Sequence, residues 1–216
     1  VAPAHPPAHP PAPTPGPSPA KVALRDQVLT ARNRLTPAEV GAHARALVEH
    51  VLAAPEVRRA ATVAAYVSVG TEPGTGLLLD ALLAAGRRVV LPVLLPDGDL
   101  DWAVHTGAPG GLAPARRGLL EPTSERLGVD AVATADVVLV PGLAVSATGL
   151  RMGRGGGSYD RALGRVPLGT LTCVLLYDAE TDRAVPVEPH DRPVTAAATP
   201  AGLRRFAPTG PGGPGR

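Results

Sequence analysis

The chain has 216 residues, 44% of them hydrophobic, enough for one α/β domain with a buried core or at most two small ones, and one core is the expectation. Aromatic residues are only 2%, so Leu, Val and Ala must fill the interior, and Trp102 and Tyr159 gain weight as residues with a role beyond packing. A net charge of +2, without an aromatic-interleaved basic tract or zinc-finger spacing, argues against a nucleic-acid partner but leaves room for local anion sites.

Residues 1–20, VAPAHPPAHPPAPTPGPSPA, can neither form ladders nor bury area, which predicts an extended, disordered tail. His5 and His9 within it are too few and too mobile to hold a metal well. No apolar run reaches membrane-spanning length and the N-terminus lacks the order of a secretory signal, so a soluble, cytoplasmic chain without a membrane partner is expected. From Lys21, the positions Leu24, Val28, Ala31 and Leu35 recur at helical spacing; that face should pack down, with Lys21 and Arg25, one turn apart, on another side. Lys21 is the sole lysine among 21 basic residues, and reads either as a phosphate contact or as an ordinary solvated helix residue. TPAE then opens a second helix, with Thr36 as cap, Pro37 at the first position and Glu39 completing a capping box.

TVAAYVSVG (62–70) predicts a strand, followed by the loop TEPGT and a helix over roughly 76–85. RRVVLPVLL is a further strand, and DGD a turn into LDWAVHT. DVVLVPG is a buried strand ending at Pro141; LTCVLLYD and PVTAAATP supply two more. Cys173, the only cysteine, sits in an apolar run and reads as a buried small hydrophobe, so no intrachain disulfide can form. His43, His50 and His105 show no ligand spacing and are expected at the surface or rim. Trp102 suits either a ligand stack or a packing role. Residues 207–216 form a second predicted tail, leaving 21–206 as the domain. Apolar strands alternating with helices predict a mostly parallel sheet with helices on both faces, and ligands in such sheets gather at the carboxyl ends of strands. The loops after Gly70 and Gly142 leave such ends.

The second of those loops carries LRMGRGGGSYDRAL (150–163). Glycines 155, 156 and 157 allow positive φ, so that successive N–H groups converge on an anion, and SYDRAL starts a helix whose amino end points the same way. Arg151 and Arg154 can add forked donors to phosphate oxygens. The alternative is a flexible surface loop. The loop ends without Gly-Lys-Ser/Thr, does not complete G-x-G-x-x-G, and Ser158 lies in no G-x-S-x-G elbow, which disfavours a P-loop, a dinucleotide fingerprint and a serine hydrolase. Asp160 suits either Mg²⁺ beside nucleotide phosphates or a helix-start acid favoured by the dipole.

VLVPGLAVSATGLRMGRGGGSYDRAL resembles the C-terminal block of the 5-formyltetrahydrofolate cyclo-ligases, also called 5,10-methenyltetrahydrofolate synthetases. The likeness extends over about 21–200, through KVALRDQVLTARNRL, YVSVGTEPGT, LDWAVHTG, RGLLEP and VPVEPHDRPVTAAATP. It implies a three-layer α/β/α Rossmann-like fold, ATP and Mg²⁺ dependence, and conversion of 5-formyltetrahydrofolate to 5,10-methenyltetrahydrofolate with release of ADP and phosphate by a monomer. Carried onto this chain, the nucleotide contacts fall on Lys21, Arg25, Arg151, Gly153, Arg154, Gly155, Gly156, Gly157, Ser158 and Tyr159. The folate contacts fall on Val67, Glu72 and the segment Arg154, Gly155, Gly156, Gly157, Ser158, with Asp160 and Asp191 resembling the Mg²⁺ ligands. Arg151 and Arg154 are the residues expected to offset transition-state charge.

The family usually has two tyrosines before the aspartate, and Ser158 replaces the first; Ser146 stands where an aspartate is common, and Met152 where a leucine is. His190, beside Asp191, suits a general base or a loop-positioning residue. A phosphosugar isomerase or coenzyme-A transferase on a related scaffold is the rival reading, with Glu121 as its leading carboxylate. A non-catalytic folate or nucleotide binder is a third.

Overall fold

The computed structural model describes residues 18–188 and 191–207. His5, His9, His190 and most of the two predicted tails lie outside those residues. In chain order the elements are α1 (Pro19–Arg32), α2 (Pro37–Ala53), α3 (Pro55–Arg59), β1 (Thr62–Ala64), α4 (Gly76–Ala84), β2 (Arg88–Leu94), β3 (Leu100–His105), β4 (Leu112–Pro114) and β5 (Leu120–Pro122). They continue as β6 (Val137–Pro141), β7 (Ala144–Val145), β8 (Arg151–Met152), α5 (Ser158–Leu163), β9 (Leu171–Leu175), β10 (Ala196–Thr199) and β11 (Gly202–Arg205).

The central sheet has seven strands in the order β11-β10-β9-β6-β1-β2-β3. The strands from β10 to β2 run parallel, and β11 and β3 close the edges antiparallel. Every residue of β9 and β10 is buried, the signature of strands covered on both faces. Alternate residues serve two cores. Leu139, Cys173 and Ala198 pack with Leu47 and Val51 of α2 and Leu78 and Leu82 of α4. Val138, Val174 and Ala197 pack on the other side with Trp102, Val132 and Ala162. This is the expected three-layer arrangement, and it puts the ends of β1, β6 and β9 beside one another.

Local signals act as the sequence predicts at several points. The Thr36 N–H donates to Glu39 Oε2 at 2.8 Å while Glu39 N–H donates to Thr36 Oγ1 at 3.3 Å, so the capping box is complete. Ser18 caps α1, which therefore starts at Pro19, inside the predicted tail. No helix among the described residues is long and apolar enough to cross a membrane.

Three expectations are corrected. β1 ends at Ala64 instead of reaching Gly70: the Ala65 N–H still donates to the Val90 carbonyl of β2 at 2.9 Å, but further on Ser68 N–H donates to Thr75 Oγ1 at 2.8 Å and Val69 N–H to Glu72 Oε2 at 2.9 Å, within their own loop. In α1 the buried residues are Lys21, Val28 and Arg32, while Ala31 is exposed, so the basic side chains lie on the packed face rather than beside it. His105 is buried in β3, paired with Val89, and is not a rim residue. Of the two roles open to Trp102, packing is the one observed: it is fully buried in the second core and does not line the cavity described below. The edge strand β11 had no strand signal strong enough to be expected, since its residues are only half-buried or exposed.

Burial pushes the Cys173 thiol up to about 12. The native protein at pH 8 should therefore resist alkylation by iodoacetamide and react at Cys173 only once unfolded in guanidinium, read by mass spectrometry; rapid native labelling would contradict the packing.

Candidate active site

Parallel strands end where their backbones leave the ladder, and a cavity of about 490 Å³ opens at that edge. Pro141 and Gly142 follow β6, and the chain then makes the small β7–β8 hairpin, which delivers Arg151 and Met152 to the wall. Tyr66, Val67 and Glu72 come from the segment after β1. The β2–β3 hairpin adds Pro92, Leu94 and Leu100, and Lys21 and Arg25 reach in from α1. All the residues expected to meet nucleotide, folate or metal line this one cavity: Lys21, Arg25, Val67, Glu72, Arg151, Gly153 to Tyr159, Asp160 and Asp191. Ser146 does not; its hydroxyl lies 3.0 Å from that of Thr148 in the β7–β8 turn.

The glycine-rich loop is bare for a steric reason. Gly155 has φ +97°, and a Cβ there would lie 2.9 Å from Arg25 Nη2. Gly157 caps α5 in the left-handed conformation, φ 68°. Among the described residues, none of the backbone N–H groups from 153 to 157 donates a hydrogen bond. Residues 154–156 are exposed and 153 and 157 half-buried, so these amides open onto the cavity and its solvent, a geometry suited to an anion. Because α5 has only six residues, its dipole adds less than the sequence suggested.

Of the five basic residues that line the cavity, Lys21, Arg151 and Arg154 are each held by a carboxylate. Lys21 Nζ contacts Asp191 Oδ2 and Glu188 Oε2, both at 2.9 Å, and is buried rather than solvated. Burial works against its charge, but the bonds from Glu188 and Asp191 outweigh it and raise its pKa. Arg151 is buried, donating from Nη2 to Asp160 Oδ1 at 3.0 Å and from Nη1 to the Pro141 carbonyl at 3.2 Å, and its Nε–H has no partner. Arg154 is the exposed one: its side chain is 55% accessible, and its Nε lies 3.2 Å from Glu72 Oε1. The two arginines are thus unequal, one fixed in the wall and one at the mouth. Arg25 Nε is a further buried donor without a partner.

Asp160 Oδ1 also accepts from the Arg192 N–H at 3.3 Å, and Asp191 Oδ2 from the Glu188 N–H at 2.8 Å. No cluster of three or more His, Cys, Asp or Glu side chains suited to a metal occurs among the described residues. Two carboxylates on one wall still suit a hard cation that keeps most of its coordination for phosphate and water. Glu121 lines the opposite wall, where it accepts the Leu94 N–H at 2.9 Å.

Sequence reasoning missed Arg32. Its Nε donates to Glu180 Oε1 at 2.6 Å, and its Nη2 donates to Glu180 Oε2 and the Gly142 carbonyl, both at 2.7 Å. The guanidinium also sits 5.5 Å from the centre of the Tyr177 ring. The signal that could have found it was the stripe Lys21, Arg25, Val28, Arg32, which keeps helical spacing but breaks the assumption that a packed face is apolar. Removing one member of such a buried pair strands the other, so Arg32→Ala should cost about 3–5 kcal/mol in urea unfolding; a loss under about 1 kcal/mol would show the pair to be solvated.

A model of the 5-formyltetrahydrofolate cyclo-ligase family matches residues 17–200. A 5-formyltetrahydrofolate cyclo-ligase of Mycolicibacterium smegmatis is 43% identical over 144 residues, covering 64% of this chain and 73% of that one. An Escherichia coli protein of the same name is 32% identical over 178 residues, covering 79% and 94%. Among solved structures, the 5,10-methenyltetrahydrofolate synthetase of Aquifex aeolicus superposes with a TM-score of 0.75 at 27% identity, covering 86% of this chain and 92% of that one.

Proposed function

The chain belongs to the 5-formyltetrahydrofolate cyclo-ligase family, and on that footing we propose that it closes 5-formyltetrahydrofolate to 5,10-methenyltetrahydrofolate at the expense of ATP, releasing ADP and phosphate. The observation that carries the ATP half of this reading is the glycine-rich wall, where unpaired amides lie among Arg25, Arg151 and Arg154 and a single Cβ at position 155 would collide with Arg25. The folate half rests on the apolar part of the cavity, walled by Val67, Pro92, Leu94 and Leu100, with Glu72 positioned to accept donors of a pterin ring.

The chemistry needs activation, because a formamide oxygen is a poor leaving group. The formyl oxygen attacks the γ-phosphorus of ATP and ADP departs; N10–H then adds to the activated carbon and gives up its proton to the departing phosphate or to water, and the C–O bond breaks with loss of phosphate to leave the methenyl bridge. The protein supplies no nucleophile. Its residues align two bound molecules and offset charge that grows on the phosphoryl oxygens. Arg154, exposed and loosely paired, is free to turn from Glu72 towards those oxygens, while Arg151 holds the wall in place and points its unpaired Nε–H from within it. Magnesium, when bound with the nucleotide, would neutralise phosphate charge, and Asp160 and Asp191 are the carboxylates that fit it. Phosphate would offer Lys21 and Arg151 a replacement anion as those carboxylates turn to the metal.

The isomerase and transferase rival is not favoured: it needs Glu121 as a free acid or base, and that carboxylate is engaged by the Leu94 amide. The working unit is proposed to be a monomer that acts in the cytoplasm as a single domain.

Formation of the methenyl chromophore from 5-formyltetrahydrofolate should require both ATP and Mg²⁺, with ADP formed in equal amount; methenyl formation without nucleotide would overturn the reading. Arg154→Ala should lower kcat by about two to three orders of magnitude, as for loss of a transition-state donor, and wild-type turnover in that variant would remove Arg154 from the mechanism. Gly155→Ala should weaken ATP binding about tenfold or more while costing roughly 1 kcal/mol of stability, measured by nucleotide titration and thermal melting.

A further inference from the structure

Open amides bind an anion well only if the loop that carries them is held still beforehand. The glycine-rich loop has little to hold itself with, since its amides make no bonds among the described residues. Its support comes from the next turn of chain. Ser158, Arg161 and Arg165 are spaced three and four residues apart, so they share one side of α5 and its continuation. All three reach the same target, the tight turn between β2 and β3. Ser158 Oγ and Arg161 Nη2 both donate to the Gly98 carbonyl at 2.5 Å. Arg165 forks onto Asp99, with Nη1 to Oδ1 at 3.0 Å and Nη2 to Oδ2 at 2.6 Å.

The turn is built to receive them. Leu95 N–H donates to the Asp99 carbonyl at 2.9 Å and Gly98 N–H to the Leu95 carbonyl at 3.0 Å, closing it tightly. Gly98 has φ +83°, and a Cβ there would sit 3.0 Å from Arg161 Nη2. Asp99 is buried, and the hydrogen bonds from Arg165 hold its carboxyl below the usual carboxylate range, so the fork stays charged through neutral pH. The residues on either side of the turn, Leu94 and Leu100, line the cavity; Asp99, Arg161 and Arg165 do not.

We propose that Asp99 and Arg165 are positioning residues for polyphosphate capture, locking the glycine-rich loop to the β2–β3 turn so that its amides converge before the nucleotide arrives. The proposal rests on the reading of that loop as the triphosphate site. It also accounts for Ser158. Where the family has a tyrosine, the serine hydroxyl is committed to the Gly98 carbonyl, so it braces the loop from behind.

A purely structural brace would lower stability and leave affinity alone, whereas a positioning brace acts on the nucleotide selectively. Arg165→Ala should raise the KM for ATP about tenfold, by the cost of ordering a released loop, while the KM for 5-formyltetrahydrofolate stays within about twofold. Arg165→Lys, which keeps the charge, should recover part of that loss. Should Arg165→Ala fail to fold, the isosteric Asp99→Asn provides the same comparison. Equilibrium binding of ATP to wild type and variants, with melting temperatures alongside, separates the outcomes. A wild type that does not bind ATP brings down the nucleotide assignment and this proposal with it. A wild type that binds ATP, with variants of equal affinity and lowered melting temperature, overturns the brace alone.

Discussion

The Arg32 guanidinium is the tie on which the site depends. It sits at the far end of α1, forks onto Glu180 in the turn after β9, and caps the carbonyl of Gly142 where the chain leaves β6. Three segments distant in sequence are thereby fixed to one buried charge. Gly142 allows it, because a side chain there would lie 2.5 Å from Val174 Cγ2. With the end of α1 pinned, helical geometry carries Arg25 and Lys21 along the same face to the cavity wall. A buried ion pair is weak evidence for stability but strong evidence for a specified geometry, because breaking it strands a charge.

From that anchor outward, the cavity is organised by charge pairing of graded firmness. Arg151 and Asp160 are buried partners, Lys21 shares Glu188 and Asp191 at the edge, and Arg154 with Glu72 spans the mouth, half in water. Each of these three cations is opposed by a carboxylate, and Arg25 and Arg117 line the same cavity beside them. The low polarity of the opposite wall, from Val67 through Leu100, leaves the reacting groups in surroundings where such electrostatic terms act strongly.

Errors in the sequence-based reading share one cause. Capping residues located α2 and continuous apolar runs located the buried strands, whereas apolar periodicity was applied to α1. It misjudged α1, whose inner face mixes Val28 and the half-buried Leu24 and Leu29, packed on a small core with Leu143 and Met152, with the buried basic residues Lys21 and Arg32. It also lengthened β1, since Tyr66 to Gly70 keep a strand-like composition while Thr75 and Glu72 side chains take the place of ladder partners. His105 was misassigned because nothing local distinguishes a buried edge-strand histidine from one in solvent.

What the amino-acid order determined by itself was whatever depends on neighbours: the capping box at Thr36 and Glu39, the continuous apolar runs of β6 and β9, and a glycine run whose backbone no side chain shields. The family block from Val138 to Leu163 belongs here too, as contiguous residues. Only the tertiary structure decided which charges meet. Lys21 with Asp191, Arg32 with Glu180 and Arg165 with Asp99 are separated by 170, 148 and 66 positions. Such pairs are brought together by sheet order and helix packing, and a Coulomb interaction depends on distance in space, about which spacing along the chain is silent.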